Sequence, residues 1–258
     1  MAPRLIVHAG FHKTGTTSVQ RALNAHHDVL ADHLLVRIRA DFIPLCEAAR
    51  AWSISRDPVD LGLVQYEAAL AVEGWTGDVP LLLSSEDLSG HMPGRHRLTG
   101  YDASPTLAKA MVEAWRAAHP DVDITLLYTT RAAAPWLASC YAQNLWSARM
   151  RLTRAEYVET YATSARLDDI AAGVADATGV TVHTLPLEDA QTRRLGPVDP
   201  VLDHCGVPDD LRARFRPLPR ANTAASKAKQ AAFLDLNRSE LQGDAYQKAR
   251  RTLRAQDF

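Results

Sequence analysis

The chain has 258 residues, with 29 Lys and Arg against 30 Asp and Glu, and this balance argues against a nucleic-acid partner, which calls for a basic excess. Its 47% hydrophobic and 23% charged residues are the composition of an ordinary globular protein with enough chain to bury a sizeable core. No apolar run approaches the about 18 residues of a membrane span, the first apolar stretch is too short for a signal peptide, and Cys46, Cys140 and Cys205 lie too far apart for a disulfide framework or a metal pair, so a cytoplasmic setting is expected.

Along the chain, strand-like and helix-like patterns alternate. Leu5, Ile6, Val7 and His8 form a short apolar strand that stops at Gly10, with His8 expected as a satisfied core histidine. A helix is predicted over 16–24, and His26, His27 and Asp28 close it, where imidazoles meet the last carbonyls. Residues 28–77 read as a mainly helical insertion, over 42–52 and 60–75, with an extra strand at 33–38. It suits substrate recognition or simply covers the sheet. A strand over 79–84 carries Pro80 near its start, the tolerated place for proline. Ser104 and Pro105 read as N-cap and first helical position, followed by Leu107, Ala108, Met111, Val112, Trp115 and Ala118 on one face. The stretch 123–130 (DITLLYTT) is the clearest strand. Pro135 opens a helix running to about 150, helices follow over 157–161 and 167–178, and Gly179 stops the latter. A last strand spans 180–185, and a helical segment occupies 224–256. Strands alternating with helices of this length imply crossover connections and a parallel sheet covered on both faces. The expectation is an α/β three-layer sandwich with a central parallel sheet of 4–5 strands, as a single domain over 1–258.

The most informative stretch is Gly10-Phe11-His12-Lys13-Thr14-Gly15-Thr16-Thr17-Ser18. It follows a strand and opens a helix, the setting in which backbone N–H groups and a helix N-terminus bind phosphate. Gly15 allows close backbone approach, Thr16, Thr17 and Ser18 add hydroxyls, and Lys13 adds a point charge. The order differs from Walker A, whose lysine follows the last glycine. A plain turn with an exposed lysine is the bland alternative.

HKTGTTS resembles the 5′-phosphosulfate loop of sulfotransferases that use 3′-phosphoadenylyl sulfate (PAPS), usually Pro-Lys-Ser/Thr-Gly-Thr-Thr, with His12 in place of the proline. That family carries a second motif, an Arg at the end of a later strand and a Ser eight positions on. Arg131 and Ser139 match it. The resemblance implies a P-loop NTPase-like fold and PAPS as co-substrate, released as 3′,5′-adenosine bisphosphate (PAP), with no metal required. It places the phosphosulfate on His12, Lys13, Thr14, Gly15, Thr16, Thr17 and Ser18, and the 3′-phosphate on Arg131 and Ser139. The C-terminal Arg-Lys-Gly…Gly-Asp-Trp signature of the cytosolic branch is missing. Arg212, Arg214, Arg216, Arg220, Asn222, Thr223 and Lys227 stand in its place, either closing over the nucleotide or lying in solvent.

The resemblance further implies that Lys13 stabilises the leaving phosphate, and it puts the catalytic base just after the strand beside the phosphate loop. Glu86 is the first titratable group there, with Asp87 and His91 in reserve. A purely structural Glu86, capping the next turn or pairing with an Arg, is the competing reading. The loop GHMPGRHRLTG holds His91 and His96 but no third ligand for zinc. It reads as an acceptor-site loop favouring an anionic or hydroxyl-rich substrate, or else as a solvated polar loop. The resemblance implies an acceptor that offers a hydroxyl or amine, a small molecule or a carbohydrate, without identifying it. Two other functions compete: an ATP-dependent P-loop kinase, since Leu81 to Asp87 faintly resembles a Walker B strand, and a catalytically inactive nucleotide-binding relative.

Overall fold

The computed structural model describes residues 2–219 and 226–256. Its apolar, β-rich runs become β1 (Arg4–His8), β2 (Leu35–Ile38), β3 (Leu81–Ser84), β4 (Asp123–Thr130) and β5 (Thr181–Pro186). All pair in parallel, in the order β2-β3-β1-β4-β5. The helices are α1 (Thr16–Ala25), α2 (His27–Leu30), α3 (Ile43–Ser55), α4 (Pro58–Leu70), α5 (Ser104–Ala118), α6 (Ala133–Ser147), α7 (Arg154–Tyr161), α8 (Leu167–Thr178), α9 (Leu187–Ala190), α10 (Val198–Cys205), α11 (Asp209–Ala213), α12 (Lys227–Arg238) and α13 (Gly243–Ala255).

Strand side chains alternate between two cores, as the period of two requires. Leu5, Val7, Leu81, Leu83 and Leu126 pack under α3, α4, α5 and α8. Ile6, Leu82 and Leu127 pack with Val19 and Leu23 of α1 and Val201 and Leu202 of α10. This is an α/β three-layer arrangement, with the central strands apolar on both faces because both are covered.

The strand expected at 33–38 forms as β2, the edge strand of the sheet paired with β3, and the helices expected over 28–77 form as α3 and α4, which join the layer that holds α5. Three local expectations shift. The second helix of that stretch ends at Leu70 rather than near Trp75, because the chain turns through Gly74 at φ 72° to bury Trp75. Ser104 is the first residue of α5 and Ala103 its N-cap; the buried Ser104 hydroxyl lies 3.4 Å from the Tyr128 hydroxyl of β4 instead. Helix α6 starts two residues before Pro135, since proline fits anywhere in a first turn whose N–H groups have no helical acceptor.

Helices α12 and α13 pack on each other, and α12 also packs on α6. Asn237 fastens them: its Nδ2 donates to the Leu145 and Met150 carbonyls, both at 2.9 Å, and its Oδ1 accepts from the Tyr246 hydroxyl at 2.6 Å. The C-terminal end of α6 is thereby held rigidly, which matters for the clefts described below.

Candidate active site

Three strand ends meet at one edge of the sheet. The register sets His8 of β1 opposite Ser84 of β3 and Leu127 of β4. Pairing continues past the ends, with the Ser85 N–H donating to the His8 carbonyl at 3.1 Å and the Gly10 N–H to the Leu127 carbonyl at 3.2 Å. The chain leaves β1 toward β2 and β3 but leaves β4 toward β5. Diverging crossovers open a crevice at the carboxyl ends of such strands, the usual ligand site of open α/β sheets.

The loop after β1 fills this point with an unusual backbone. Gly10, Lys13 and Gly15 have φ of 53°, 69° and 99°. A Cβ on Gly10 would lie 2.7 Å from Thr129 Oγ1, and one on Gly15 would lie 2.9 Å from Leu187 Cδ1, so both positions exclude larger residues. Lys13 is not glycine, and its left-handed backbone costs on the order of 1–3 kcal/mol. Its neighbours hold it there. Arg131 Nη1 donates to the Lys13 carbonyl at 3.2 Å, and Trp136 Nε1 to the His12 carbonyl at 2.9 Å. Helix α1 then starts on Gly15, which supplies no side-chain cap, and its first turn holds no acidic residue. Its leading N–H groups and positive dipole end therefore suit an anion.

Two loop residues expected to hold the donor have their side chains engaged inside the fold. The buried Thr14 hydroxyl donates to the Phe11 carbonyl at 2.5 Å and lies 2.7 Å from Thr129 Oγ1. His12 has both ring nitrogens occupied, Nδ1 by the Tyr101 hydroxyl at 3.0 Å and Nε2 by Asp87 at 3.3 Å. These contacts set the loop's shape. Thr16 is buried, Ser18 is half-buried and Thr17 is exposed.

Lys13 Nζ donates to Gln143 Oε1 at 3.2 Å. Burial lowers its pKa, and nearby Glu86 acts in the opposite direction. Gln143 lies one helical turn past Ser139 and two past Trp136, so the three share the α6 face toward the loop. Sequence reading missed Gln143, although this spacing from Ser139 marks it.

Glu86 opens a short 3-10 turn, Glu86–Ser89, and is half-buried. Its Oε2 accepts from Gln20 Nε2 of α1 at 2.9 Å, and among the described residues it has no ion pair. The structural role weighed for Glu86 falls to its neighbours. Ser85 caps the turn by accepting the Asp87 N–H at 3.2 Å. Asp87 meets His12, Arg39 Nε at 2.6 Å and Arg50 Nη1 at 4.0 Å. Burial alone would raise the Asp87 pKa, but these partners hold it down at about 2. Asp87 is a brace and a poor base.

His91 is buried, its Nδ1 has no hydrogen-bond partner, and its ring lies 4.7 Å from that of His96. Burial, then Arg50, lowers its pKa to about 4. His8 departs from the expected satisfied core histidine. Its Nδ1 meets Ser84 Oγ at 2.8 Å, but Nε2 is buried without a partner. Burial lowers the His8 pKa to about 4. As pH falls from 6.5 toward 4, the unfolded chain takes up a proton that folded His8 refuses. Stability should drop by roughly 3 kcal/mol from this group alone, and His91 adds a loss of the same sign. Urea midpoints measured across this range should fall less steeply for His8→Gln than for the parent. Parallel curves would show that His8 is not the cause.

From the C-terminal basic segment, Arg220, Asn222 and Thr223 lie outside the described residues. Arg212 donates to the Val207 carbonyl at 2.7 Å and pairs with Asp203, and Lys227 begins α12. Among the described residues no three His, Cys, Asp or Glu side chains group as metal ligands, and no helix is long and apolar enough to cross a membrane.

No protein-family model and no curated protein matches the chain. Among solved structures, the chain is similar to a sulfotransferase from Alicyclobacillus acidocaldarius, at 17% identity, covering 92% of each chain with a TM-score of 0.49.

Proposed function

We propose that the chain is a sulfotransferase that moves the sulfuryl group of PAPS to a hydroxyl or amine of an acceptor. One observation carries this reading: Arg131 Nη1 sits 3.2 Å from the carbonyl of Lys13, so the two sequence motifs, 118 positions apart, meet at one loop. Ser139 lies on the α6 face between Trp136 and Gln143, which both touch that loop. The N–H groups from Thr14 to Thr17 would hold the 5′-phosphosulfate, and Arg131 with Ser139 the 3′-phosphate. Beside Arg131 a cleft of about 360 Å³, lined by Thr130, Arg166, Leu167 and Pro186, has room for the nucleoside.

Transfer of this kind is mostly positioning and charge stabilisation. The acceptor oxygen or nitrogen bonds to sulfur as the bond from sulfur to the bridging oxygen breaks. Lys13 stabilises the electron pair arriving on that oxygen, and Glu86 takes the acceptor's proton. The kinase reading is weakened by Asp87, the acid a magnesium-binding strand end would use, because His12, Arg39 and Arg50 already claim it.

Calorimetry should show PAP binding without magnesium, and more tightly than Mg·ATP. Arg131→Ala should weaken PAP by about 10- to 150-fold, the 1.5–3 kcal/mol of a charge-assisted hydrogen-bonded pair. Equal or tighter binding of Mg·ATP favours the kinase, and unchanged PAP affinity in Arg131→Ala removes the 3′-phosphate assignment.

A further inference from the structure

A second cleft, of about 490 Å³, opens between the loop after the 3-10 turn and the C-terminal end of α6. Its wall holds Arg50, His91, Arg95, His96, Arg149 and Arg151, and no Asp or Glu. The nucleoside cleft differs, because Asp168, Asp169 and Glu188 accompany its two arginines. Among the described residues the four guanidiniums make a single carboxylate contact, Arg50 to Asp87 at 4.0 Å. Asp87 is already held more closely by Arg39 and His12.

The remaining partners are neutral. Arg95 Nη2 donates to Ser147 Oγ at 2.9 Å, while its Nε is buried without a partner. Arg149 donates to the Asn237 and Ser239 carbonyls at 3.0 and 2.6 Å and lies over the Tyr246 ring. Arg151 donates to the Arg238 carbonyl at 3.2 Å. His91, with only 7% of its surface exposed, adds its own unpartnered Nδ1. Partly buried cations short of counter-charge are costly, and here Arg50, Arg95 and Arg149 are half-buried around one opening, with the exposed Arg151 at its rim.

The cleft also reaches the catalytic lysine. Lys13 Nζ donates to Gln143 Oε1, Ser147 Oγ donates to the Gln143 carbonyl at 2.6 Å, and Arg95 donates to Ser147. Guanidinium groups carry donors and no acceptors. A neutral polyol must donate as well as accept, so such a wall serves it poorly. An oxyanion only accepts, and its paired oxygens fit the guanidinium fork.

We propose that this cleft binds an oxyanion already present on the acceptor, a sulfate, phosphate or carboxylate group, and holds the acceptor's nucleophile toward Lys13 and Glu86. This rests on the sulfotransferase reading. It selects the anionic alternative over the hydroxyl-rich one for the loop that carries His91 and His96.

The test is calorimetry at constant ionic strength on protein saturated with PAP, using glucose, glucose 6-sulfate, glucose 6-phosphate, glucuronate and inorganic sulfate. At least one of the anionic probes should bind tenfold or more tightly than glucose, and comparison among them identifies the preferred group. Arg95→Gln and Arg151→Gln should each remove most of that preference with PAP affinity within about twofold, whereas Arg21→Gln, on the exposed side of α1, should change nothing. Glucose binding as well as every anion overturns the proposal, as does an unchanged preference in both cleft variants. Displacement of PAP by the anions also overturns it, since the cleft would then belong to the donor. If PAP itself fails to bind but the anion preference persists and depends on Arg95, the sulfotransferase reading falls while the anion cleft stands.

Discussion

Lys13→Ala should lower sulfuryl-transfer turnover by about 10²–10³, the loss typical when a preorganised electrostatic donor is removed from a shielded site. The ammonium is largely buried, with Gln143 as its hydrogen-bond partner and Glu86 nearby. Its field on a developing oxyanion is therefore less screened than at an open surface. PAPS affinity should fall as well, because on the proposed reading the same group would touch the ground-state phosphosulfate. Alanine at φ 69° leaves the left-handed strain in place, so the effect belongs to the ammonium rather than to the loop. Lys13→Gly separates the two further. Glycine relieves the strained backbone, so this variant should match or exceed the parent in stability, by up to about 1 kcal/mol, while losing activity to the same extent as alanine. Turnover of Lys13→Ala within tenfold of the parent would mean that the lysine does not stabilise the leaving group.

Glu86→Gln should cost about 10²–10⁴ in turnover with PAP affinity within twofold of the parent. A glutamine oxygen can still accept from Gln20 Nε2, now at 2.9 Å from the carboxylate, so the local structure is kept while the ability to take a proton is lost. Lys13 and Glu86 thus fail differently, one in donor binding and chemistry together, the other in chemistry alone. Steady-state kinetics with any acceptor found by screening, combined with PAP calorimetry, distinguish them. If Glu86→Gln turns over like the parent, Glu86 is not the base and His91 is next in order, although burial has pushed its pKa down to about 4. A chain that binds PAP tightly but transfers to no acceptor in the screen fits the inactive-relative reading.

Local signals account for much of what is legible in the amino-acid sequence. The run DITLLYTT forms β4 over the stretch expected, and α8 spans Leu167–Thr178 with Gly179 at φ 64°. The strand follows from its unbroken apolar, β-rich run, and the helix from an apolar period that ends at a glycine whose left-handed backbone stops it. The strand–glycine–helix setting of the phosphate loop is equally local, and so is its helix start at Thr16. The same economy explains the less accurate boundaries. Trp75 and Ser104 carry apolar-periodic and capping signals, but long-range packing against the rest of the core uses each of them otherwise.

The sequence by itself determines the alternation of elements, the parallel α/β class and the clustering of glycine, lysine and hydroxyls after the first strand, because these depend on contacts within a few residues. Only the tertiary structure decides how adjacent, chemically alike groups divide their roles. Glu86 and Asp87 are neighbouring carboxylates. Arg39 and Arg50 reach across from the β2–α3 region to claim Asp87, while Glu86 is left with Gln20. The side chains of Thr14 and His12 are engaged by Thr129, Tyr101 and Asp87 from distant strands and loops, partners that the order of residues in the loop does not disclose. The four arginines of the second cleft come from three separate stretches, each unremarkable alone. Charge and hydrogen-bond partners act through space over a few ångströms, and which residues share that space is set by the crossovers and helix packing rather than by separation along the chain.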